Sequence, residues 1–252
     1  MGDQIWIRGF VGAALCLLCS CAPFGSERDA APPPRTQLLG VEGPPIELVG
    51  FELPRESGRS TGYHFFIGKY EVTNRQYQTF ARDSGYSGAD HSSSKGTESF
   101  LHHFTGGQFP EGQGEYPACY LNWWHCKAYC DWLSRKVGKT VRLPTEEEWM
   151  FAAAGVEHRK YPWGNGWDPK RCNWAGSEDG FAEAAPVGSF PNGCTPEGVH
   201  DLAGNIWEWC EDRVLRGGPW CMDPESVTTT FASKEDTNRA DDKFGFRIVV
   251  LE

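Results

Sequence analysis

The chain has 252 residues, with 34 acidic and 24 basic side chains and a formal net charge of −10. An acidic chain without basic clusters argues against nucleic acid and anionic lipid surfaces as partners. Eleven tryptophans and 30 glycines favour short, irregular elements packed by large rings over long regular helices. The composition therefore predicts a loop-rich domain that binds no nucleic acid.

The N-terminal residues have the pattern of an export signal. Residues 10–18 form a nine-residue apolar run behind Arg8, too short for a membrane-spanning helix of about 20 residues but sufficient for a secretory signal. The box Leu-Cys-Ser-Cys that ends at Cys21 resembles the bacterial lipoprotein signal, which is cut before a cysteine that then carries lipid. We expect residues 1–20 to be a lipoprotein signal peptide and Cys21 to anchor the protein in the bacterial cell envelope, which would be the outer membrane or cell surface if the organism is Gram-negative. An ordinary signal peptide cut nearby is the alternative.

The next segment, residues 21–38, is rich in proline, alanine and charge. Such a composition buries too little apolar surface to offset the entropy lost on ordering, so it predicts a disordered tether. Residues 39–252 remain, enough for one large domain. Seven of the ten cysteines lie in this part, and an odd number leaves at least one thiol unpaired in an oxidising compartment.

Local patterns predict few regular elements in this domain. Residues 64–72 are rich in β-branched and aromatic side chains, which predicts a strand. N-cap residues and closing glycines predict three helices, at residues 73–85, 122–139 and 145–155. Residues 86–118 are rich in Gly and Ser and predict long ordered loops. Turn signals then dominate from residue 156 until a terminal strand at residues 244–252, and the whole pattern predicts an α+β fold.

A series of motifs in the domain points to a known family. In chain order these motifs are GKYEVTNRQY, YLNWWHCKAYCDWL, RLPTEEEWMFAA, YPWGN, PVGSFPNG, HDLAGNIWEW, LRGGPW and GFRIVV. Over roughly residues 40–252 the series resembles the formylglycine-generating enzyme family, also called sulfatase-modifying factors. The resemblance implies a C-type-lectin-like α+β fold with little regular secondary structure, in agreement with the pattern of predicted elements.

The resemblance also implies two structural calcium sites, built from the six to eight oxygen ligands that calcium prefers. The first set would be Asn173 and Asp179 through side-chain oxygens and Trp174 and Phe181 through backbone carbonyls. The second set would be Asp201 and Glu208 through carboxylates and Gly204 and Ile206 through carbonyls. The alternative to calcium is a pair of polar turns with ordinary hydrogen bonds.

The resemblance further implies where catalytic residues should stand. The family's enzymes hold copper(I), a soft ion, with two cysteines five residues apart, just after an Arg/Lys-Gly-Gly-Ser-aromatic turn, and oxidise a substrate cysteine to formylglycine. Here the turn is 216–220, and the two catalytic positions fall on Met222 and Val227. Cys221 lies one residue early, and a shift of one residue along an extended segment turns a side chain to the opposite face. Copper is therefore not expected, and Cys221 is a weak catalytic candidate; a site rebuilt from Cys221 with Cys210 or Met222 is the alternative.

The segment between the RGG and GFR motifs is polar and acidic, and such loops on a rigid scaffold commonly form binding surfaces. The candidate binding residues are Trp220, Cys221, Met222, Asp223, Glu225, Thr228, Thr229, Thr230 and Lys234. Because loops of this kind make open surfaces, we expect a protein or peptide ligand. One alternative is an oxidase of the formylglycine-generating type that acts on a protein cysteine through a different site. Others are a structural envelope component and a hypervariable receptor like those of diversity-generating retroelements, which the scaffold resembles.

Overall fold

The structure is a computed structural model that describes residues 35–40, 43–53, 63–88, 108–176 and 180–252. All of these belong to one unit, Pro33–Glu252. The expected signal peptide, the lipidation candidate Cys21, the tether up to residue 34 and the calcium candidate Asp179 lie outside the described residues.

All three predicted helices are confirmed. They are α1 (Asn74–Ser84), α2 (Trp123–Val137) and α3 (Glu146–Ala154). Each begins with a capping box, in which Thr73, Asn122 or Thr145 accepts a backbone N–H and the side chain three residues later accepts the cap's own N–H. Helices α1 and α2 end at Gly85 and Gly138, whose φ angles of 66° and 65° lie in the left-handed region.

A five-stranded antiparallel sheet lies between α3 and the α1–α2 pair. Its order is β1 (Arg35–Leu39), β2 (Ile46–Leu53), β3 (Tyr63–Gly68), β9 (Val249–Leu251) and β4 (Thr140–Arg142). Leu48 and Phe66 pack into the cluster that contains α1 and α2, while Val49 and Ile67 pack into the cluster that contains α3. Because successive strand residues point to opposite faces, the sheet buries both of its sides.

A smaller four-stranded sheet carries the RGG motif. Its order is β7 (Ala232–Ser233), β6 (Leu215–Arg216), β5 (Trp207–Trp209) and β8 (Phe244–Gly245). Strands β5 and β8 are parallel, and the other two pairs are antiparallel. The predicted binding segment therefore leaves β6, returns as β7 and ends at β8.

Two predicted strands differ from the observed ones. The predicted strand 64–72 ends at Gly68, and the predicted terminal strand 244–252 divides into β8 and β9, which belong to different sheets. Between them, the carbonyl of Phe246 accepts the N–H of Val72 at 2.9 Å and the carbonyl of Ile248 accepts that of Gly68 at 2.8 Å. The chain therefore crosses from one sheet to the other while its backbone remains hydrogen-bonded.

The predicted tether is wrong at its C-terminal end. Strand β1 begins at Arg35, inside the range 21–38, and pairs with β2 over its whole length. The reason is that Leu39 is buried opposite Ile46, so pairing with an existing strand supplies apolar burial that composition alone does not reveal. Within the described ranges, no helix is both long enough and apolar enough to cross a membrane.

Candidate functional site

The turn after β6 fixes the start of the candidate binding segment. Gly217 and Gly218 have φ angles of 94° and 72°, a region that favours glycine. A Cβ atom at Gly218 would collide with the carbonyl of Ser226, so the two ends of the loop lie against each other. The N–H of Ser226 also donates to both the carbonyl and Oδ1 of Asp223, each at 3.0 Å. The loop is thus a closed, internally bonded structure.

The two positions that the resemblance assigns to catalytic cysteines lie in one apolar cluster. Val227 is fully buried beside Cys172 and Ala203, and the half-buried side chain of Met222 packs against the same cluster. Neither side chain is a thiol, so the pair of thiolates that the resemblance implies for copper(I) is missing at these two positions, although the cluster contains the buried thiol of Cys172 and the thioether of Met222. The loop therefore brings these two positions to one cluster but supplies no pair of thiolates there.

The two cysteines of the alternative copper site, Cys221 and Cys210, do not share one surface. Cys221 is exposed, whereas Cys210 is fully buried in a cluster with Trp149 and Val214. Burial, helped by the neighbouring carboxylate of Glu208, raises the pKa of Cys210 well above the usual thiol range. Over the described ranges, no three His, Cys, Asp or Glu side chains converge to hold a metal ion. The geometry gives no support to a copper site rebuilt from Cys221 and Cys210.

The candidate binding residues divide by exposure. The exposed side chains are Cys221, Asp223, Glu225, Thr230 and Lys234. Trp220 and Met222 are half-buried, while Thr228 and Thr229 are buried. The hydroxyl of Thr229 donates to the carbonyl of Arg159 at 2.6 Å, so this threonine holds the loop to the domain and presents nothing to solvent. The surface that faces outward is acidic and bears hydroxyl groups, as the sequence predicted. It contains fewer of the candidate residues than expected, because Thr228 and Thr229 are buried.

Arg216, which the sequence did not single out as a site residue, anchors the far side of the loop. Its buried guanidinium donates to the carbonyls of Thr230 and Phe231 at 2.9 and 3.4 Å through Nη1. Its Nη2 donates to Glu146 and contacts the sulfur of Met150 at 3.1 Å. Glu146 and Met150 line an open cavity of about 730 Å³ beside α3. One buried cation therefore connects the loop backbone to a cavity large enough for a ligand side chain.

Aromatic rings support the near side of the loop. Tyr161 and Trp163 stack with ring centroids 5.2 Å apart and planes 6° apart. Trp167 and Trp174 meet edge to face at 5.1 Å. The three tryptophans are half-buried and pack with Met222 against the small cluster beneath the loop. These rings hold the loop and add aromatic surface next to it, which is favourable for binding.

The first expected calcium set is only partly within the described residues. Asn173 is buried, and its amide nitrogen donates to the carbonyl of Glu183 at 2.8 Å. Trp174 and Phe181 are half-buried. Asp179, which would supply the carboxylate, lies outside the described residues, so the set stays a prediction.

The fold brings the residues of the second expected calcium set together, but the carboxylate of Glu208 already has another partner. Asp201, Gly204 and Ile206 are all buried in the turn before β5. Glu208 is buried too, but its two carboxylate oxygens accept from Nε and Nη2 of Arg247, each at 2.6 Å, and Oε2 also accepts from Nε1 of Trp149 at 2.8 Å. A guanidinium already neutralises this carboxylate, so Glu208 fits poorly as a calcium ligand.

Glu71 is the residue of this turn region that sequence reasoning missed. It is 1% exposed and its Oε1 accepts from the amide of Asn205 at 2.9 Å, while its Oε2 is buried and accepts no hydrogen bond. Burial, together with the nearby charge of Asp201, raises the pKa of Glu71 well above its usual range. Burial likewise raises the pKa of Asp201 to about 6. The available signal was an acidic residue between Tyr70 and Val72, inside the range 64–72 that the sequence predicts as a strand.

Comparison with known proteins identifies relatives of the domain. A protein-family model described as "Sulfatase-modifying factor enzyme 1-like domain" matches residues 45–251. A protein of Bos taurus named inactive C-alpha-formylglycine-generating enzyme 2 is 38% identical over 161 residues, which cover 53% of this chain and 50% of that protein. The formylglycine-generating enzyme of Thermomonospora curvata is 33% identical over 191 residues, which cover 59% of each. The chain thus spans about half the length of the curated relatives it matches.

A solved structure supports the same fold. PvdO from Pseudomonas aeruginosa superposes with a TM-score of 0.68 at 20% sequence identity, covering 88% of this chain and 100% of that chain. Identity at this level establishes the fold and says nothing of activity. The predicted fold class, α+β with short elements and a formylglycine-generating-enzyme-like architecture, is confirmed.

Proposed function

We propose that this chain, which belongs to the sulfatase-modifying factor enzyme 1-like domain family, is a non-catalytic binding module. One observation carries the proposal: the positions of the family's catalytic thiols hold Met222 and Val227, packed together in an apolar cluster. The resemblance implies two thiolates at one copper(I) ion, a soft metal that suits them. Cys221 is exposed and is not part of this cluster, whose thiol is that of Cys172. The scaffold remains, and its loop is available for recognition.

The binding surface that we propose is the outward side of the loop together with the cavity beside α3. Asp223, Glu225 and Thr230 are exposed on the loop, and Arg216 ties the loop backbone to the cavity wall. A rigid base with an open polar face is suited to a protein or peptide, since a small molecule needs more enclosure. The acidic side chains favour a basic segment of that partner.

We also propose that the domain works in the bacterial cell envelope, held by lipid on Cys21. The support is the pattern of the N-terminal residues, an apolar run followed by a Leu-Cys-Ser-Cys box. The test is detergent phase separation of the wild-type protein and of a Cys21→Ala variant expressed in bacteria. Wild type should enter the detergent phase and the variant the aqueous phase, and equal partition of both would remove the anchor.

The enzyme alternative has a direct test. Purified protein is incubated with copper(I), oxygen and a peptide that carries the sulfatase Cys-x-Pro-x-Arg motif, with an active family enzyme as positive control. We expect no aldehyde by mass spectrometry from this chain and complete conversion by the control. Aldehyde formed by this chain would establish an oxidase and end the non-catalytic proposal.

The binding role has a separate test. Photo-crosslinking in intact cells compares wild type with an Asp223→Ala/Glu225→Ala variant and with a control, Glu52→Ala, whose exposed side chain lies on β2. We expect one discrete crosslinked partner that the loop variant loses and the control keeps. If the loop variant still forms the crosslink, the binding surface lies elsewhere on the domain. If the protein is crosslinked to its partner in a fixed one-to-one ratio, a structural role in the envelope is indicated.

A further inference from the structure

The cavity beside α3 has an apolar lining that stays open to solvent. Its volume of about 730 Å³ lies within the range of about 300–1,000 Å³ that binding pockets occupy. Its apolar side chains are Leu53, Met150, Phe151, Ala154 and Val156. The ring of Phe151 packs edge to face on that of Phe51, with centroids 6.1 Å apart, whereas Val156, just after α3, is 65% exposed. A fixed apolar surface is therefore left for a partner to cover.

Three carboxylates line the same cavity. Glu146 and Glu147 lie in the first turn of α3, and Asp212 lies in the turn between β5 and β6. The N–H of Glu146 donates to Oδ2 of Asp212 at 2.6 Å, which holds the two acidic residues side by side. Arg216 is the ion-pair partner of Glu146, but among the described residues that line the cavity none is a lysine or an arginine. With His158 neutral, this cavity has an excess of negative charge.

The start of a helix does not account for this combination. Acidic side chains are favourable near a helix N-terminus, but the capping box of α3 is already complete. Oε2 of Glu148 accepts the N–H of Thr145 at 2.7 Å, and the hydroxyl of Thr145 accepts the N–H of Glu148 at 3.1 Å. Asp212 comes from another part of the chain, and the helix dipole gives no reason for an exposed Val156 beside it. A ligand that is cationic at one end and apolar along the rest would use both features.

An arginine side chain has both properties. Its aliphatic stem lies along apolar surface while its charged end stays with polar groups. Its planar guanidinium can donate two parallel hydrogen bonds to a carboxylate, which the more strongly hydrated ammonium of lysine cannot do. An anionic ligand would be repelled by the three carboxylates, and a neutral apolar ligand would bury them without a partner. The volume also leaves room for an apolar neighbour of that arginine.

We propose that the cavity beside α3 binds an arginine of the protein partner together with an adjacent large apolar side chain. The guanidinium pairs with Asp212, the apolar side chain covers Val156, and Glu146 keeps Arg216 as its partner. The inference rests on the binding function proposed above and names the kind of segment that this function would recognise. Arg216 also donates to the carbonyl of Thr230, so one side chain joins the cavity to the loop.

The test is an NMR titration of isotope-labelled protein with short peptides of the form acetyl-Leu-Xaa-Leu-amide, in which Xaa is arginine, citrulline, lysine or glutamate. Citrulline keeps the shape of arginine and lacks its charge. We expect the arginine peptide to bind about fivefold or more tightly than the citrulline peptide, because a charge-assisted hydrogen bond is lost. The lysine peptide should bind with intermediate affinity, and the glutamate peptide should not bind. The shifted amide signals should be those of residues 145–156 and 212.

Three variants separate charge from apolar contact. Asp212→Asn keeps an oxygen for the N–H of Glu146 and removes the charge, so it should weaken the arginine peptide about fivefold and leave the citrulline peptide unchanged. Val156→Ser changes an exposed side chain and should weaken both peptides by roughly threefold, because less apolar surface is covered. Glu47→Gln removes the same charge from an exposed ion pair with Lys69 and should match wild type.

Equal binding of the arginine and citrulline peptides would overturn this assignment. Equal binding of the arginine peptide by wild type and Asp212→Asn, or signals that do not shift around the cavity, would overturn it too. The crosslinking experiment in cells reports the binding function separately. If the peptides fail but the crosslink forms and is lost in Asp223→Ala/Glu225→Ala, the binding function stands and only the arginine pocket is rejected. If wild type forms no crosslink, the binding function itself is rejected.

Discussion

The ion pair between Glu208 and Arg247 should be the most costly single interaction to break in this domain. Both side chains are fully buried, and two hydrogen bonds of 2.6 Å join them. Glu208→Gln keeps the shape but removes the charge, so a guanidinium is left unpaired in the interior. Removal of one partner from a buried pair costs about 3–5 kcal/mol. At roughly 2–4 °C per kcal/mol for a domain of this size, the melting temperature should fall by about 6–20 °C.

The measurement is urea unfolding and thermal melting, in chelator so that bound metal makes no contribution. The matched control is Glu47→Gln, which breaks the exposed pair with Lys69 at 2.8 Å and should cost at most about 1 kcal/mol. A Glu208→Gln/Arg247→Met double variant should recover part of the loss, because it leaves no unpaired guanidinium in the interior. If Glu208→Gln and Glu47→Gln lower the free energy of unfolding by the same amount, the argument that an unpaired buried guanidinium is costly is refuted.

Two further outcomes follow from single groups. Burial opposes ionisation of Glu148, but hydrogen bonds from Arg142 and Tyr63 outweigh it and hold the pKa of Glu148 below its ordinary value of 4.5. The stability that the ionised carboxylate provides is therefore present above pH 4.5, and it is lost as the pH falls through the folded-state pKa. The urea midpoint should drop in that range for wild type and less for Arg142→Met, and parallel curves would contradict the assignment. Native alkylation followed by peptide mapping should label exposed Cys221 within minutes and leave buried Cys210 unlabelled until urea is added; early labelling of Cys210 would contradict its burial.

The helices could be predicted because their signals are local. A capping box places its donor and acceptor three residues apart, so Thr73 and Thr145 mark helix starts without any knowledge of the fold. Strands β1 and β2 lack such a signal, because each depends on a partner elsewhere in the chain. The run GFRIVV is apolar except for Arg247, and nothing in it shows that residues 246–248 cross between two sheets.

The residues of the candidate site likewise divide into those that the local sequence identifies and those that only the fold brings together. The positions of Met222 and Val227 follow from the spacing after the RGG turn, and their absence of thiols is readable in the sequence. The pairing of Glu208 with Arg247 spans 39 residues and the bond between Glu71 and Asn205 spans 134, so only the fold reveals which carboxylate is already neutralised. Burial of Thr229 escaped prediction for a similar reason, since its partner is the carbonyl of Arg159, 70 residues earlier.

Apolar packing and charge-assisted hydrogen bonds hold this loop against the domain. A pair of cysteines at a metal must stay reachable by oxygen and substrate, whereas Val227 is fully buried and Met222 packs beside it. Burial of an aliphatic side chain contributes about 1.5–3 kcal/mol, and Arg216 adds charge-assisted bonds to the loop carbonyls. These contacts therefore hold the loop backbone from beneath, while Asp223, Glu225 and Thr230 stay exposed on its outer side.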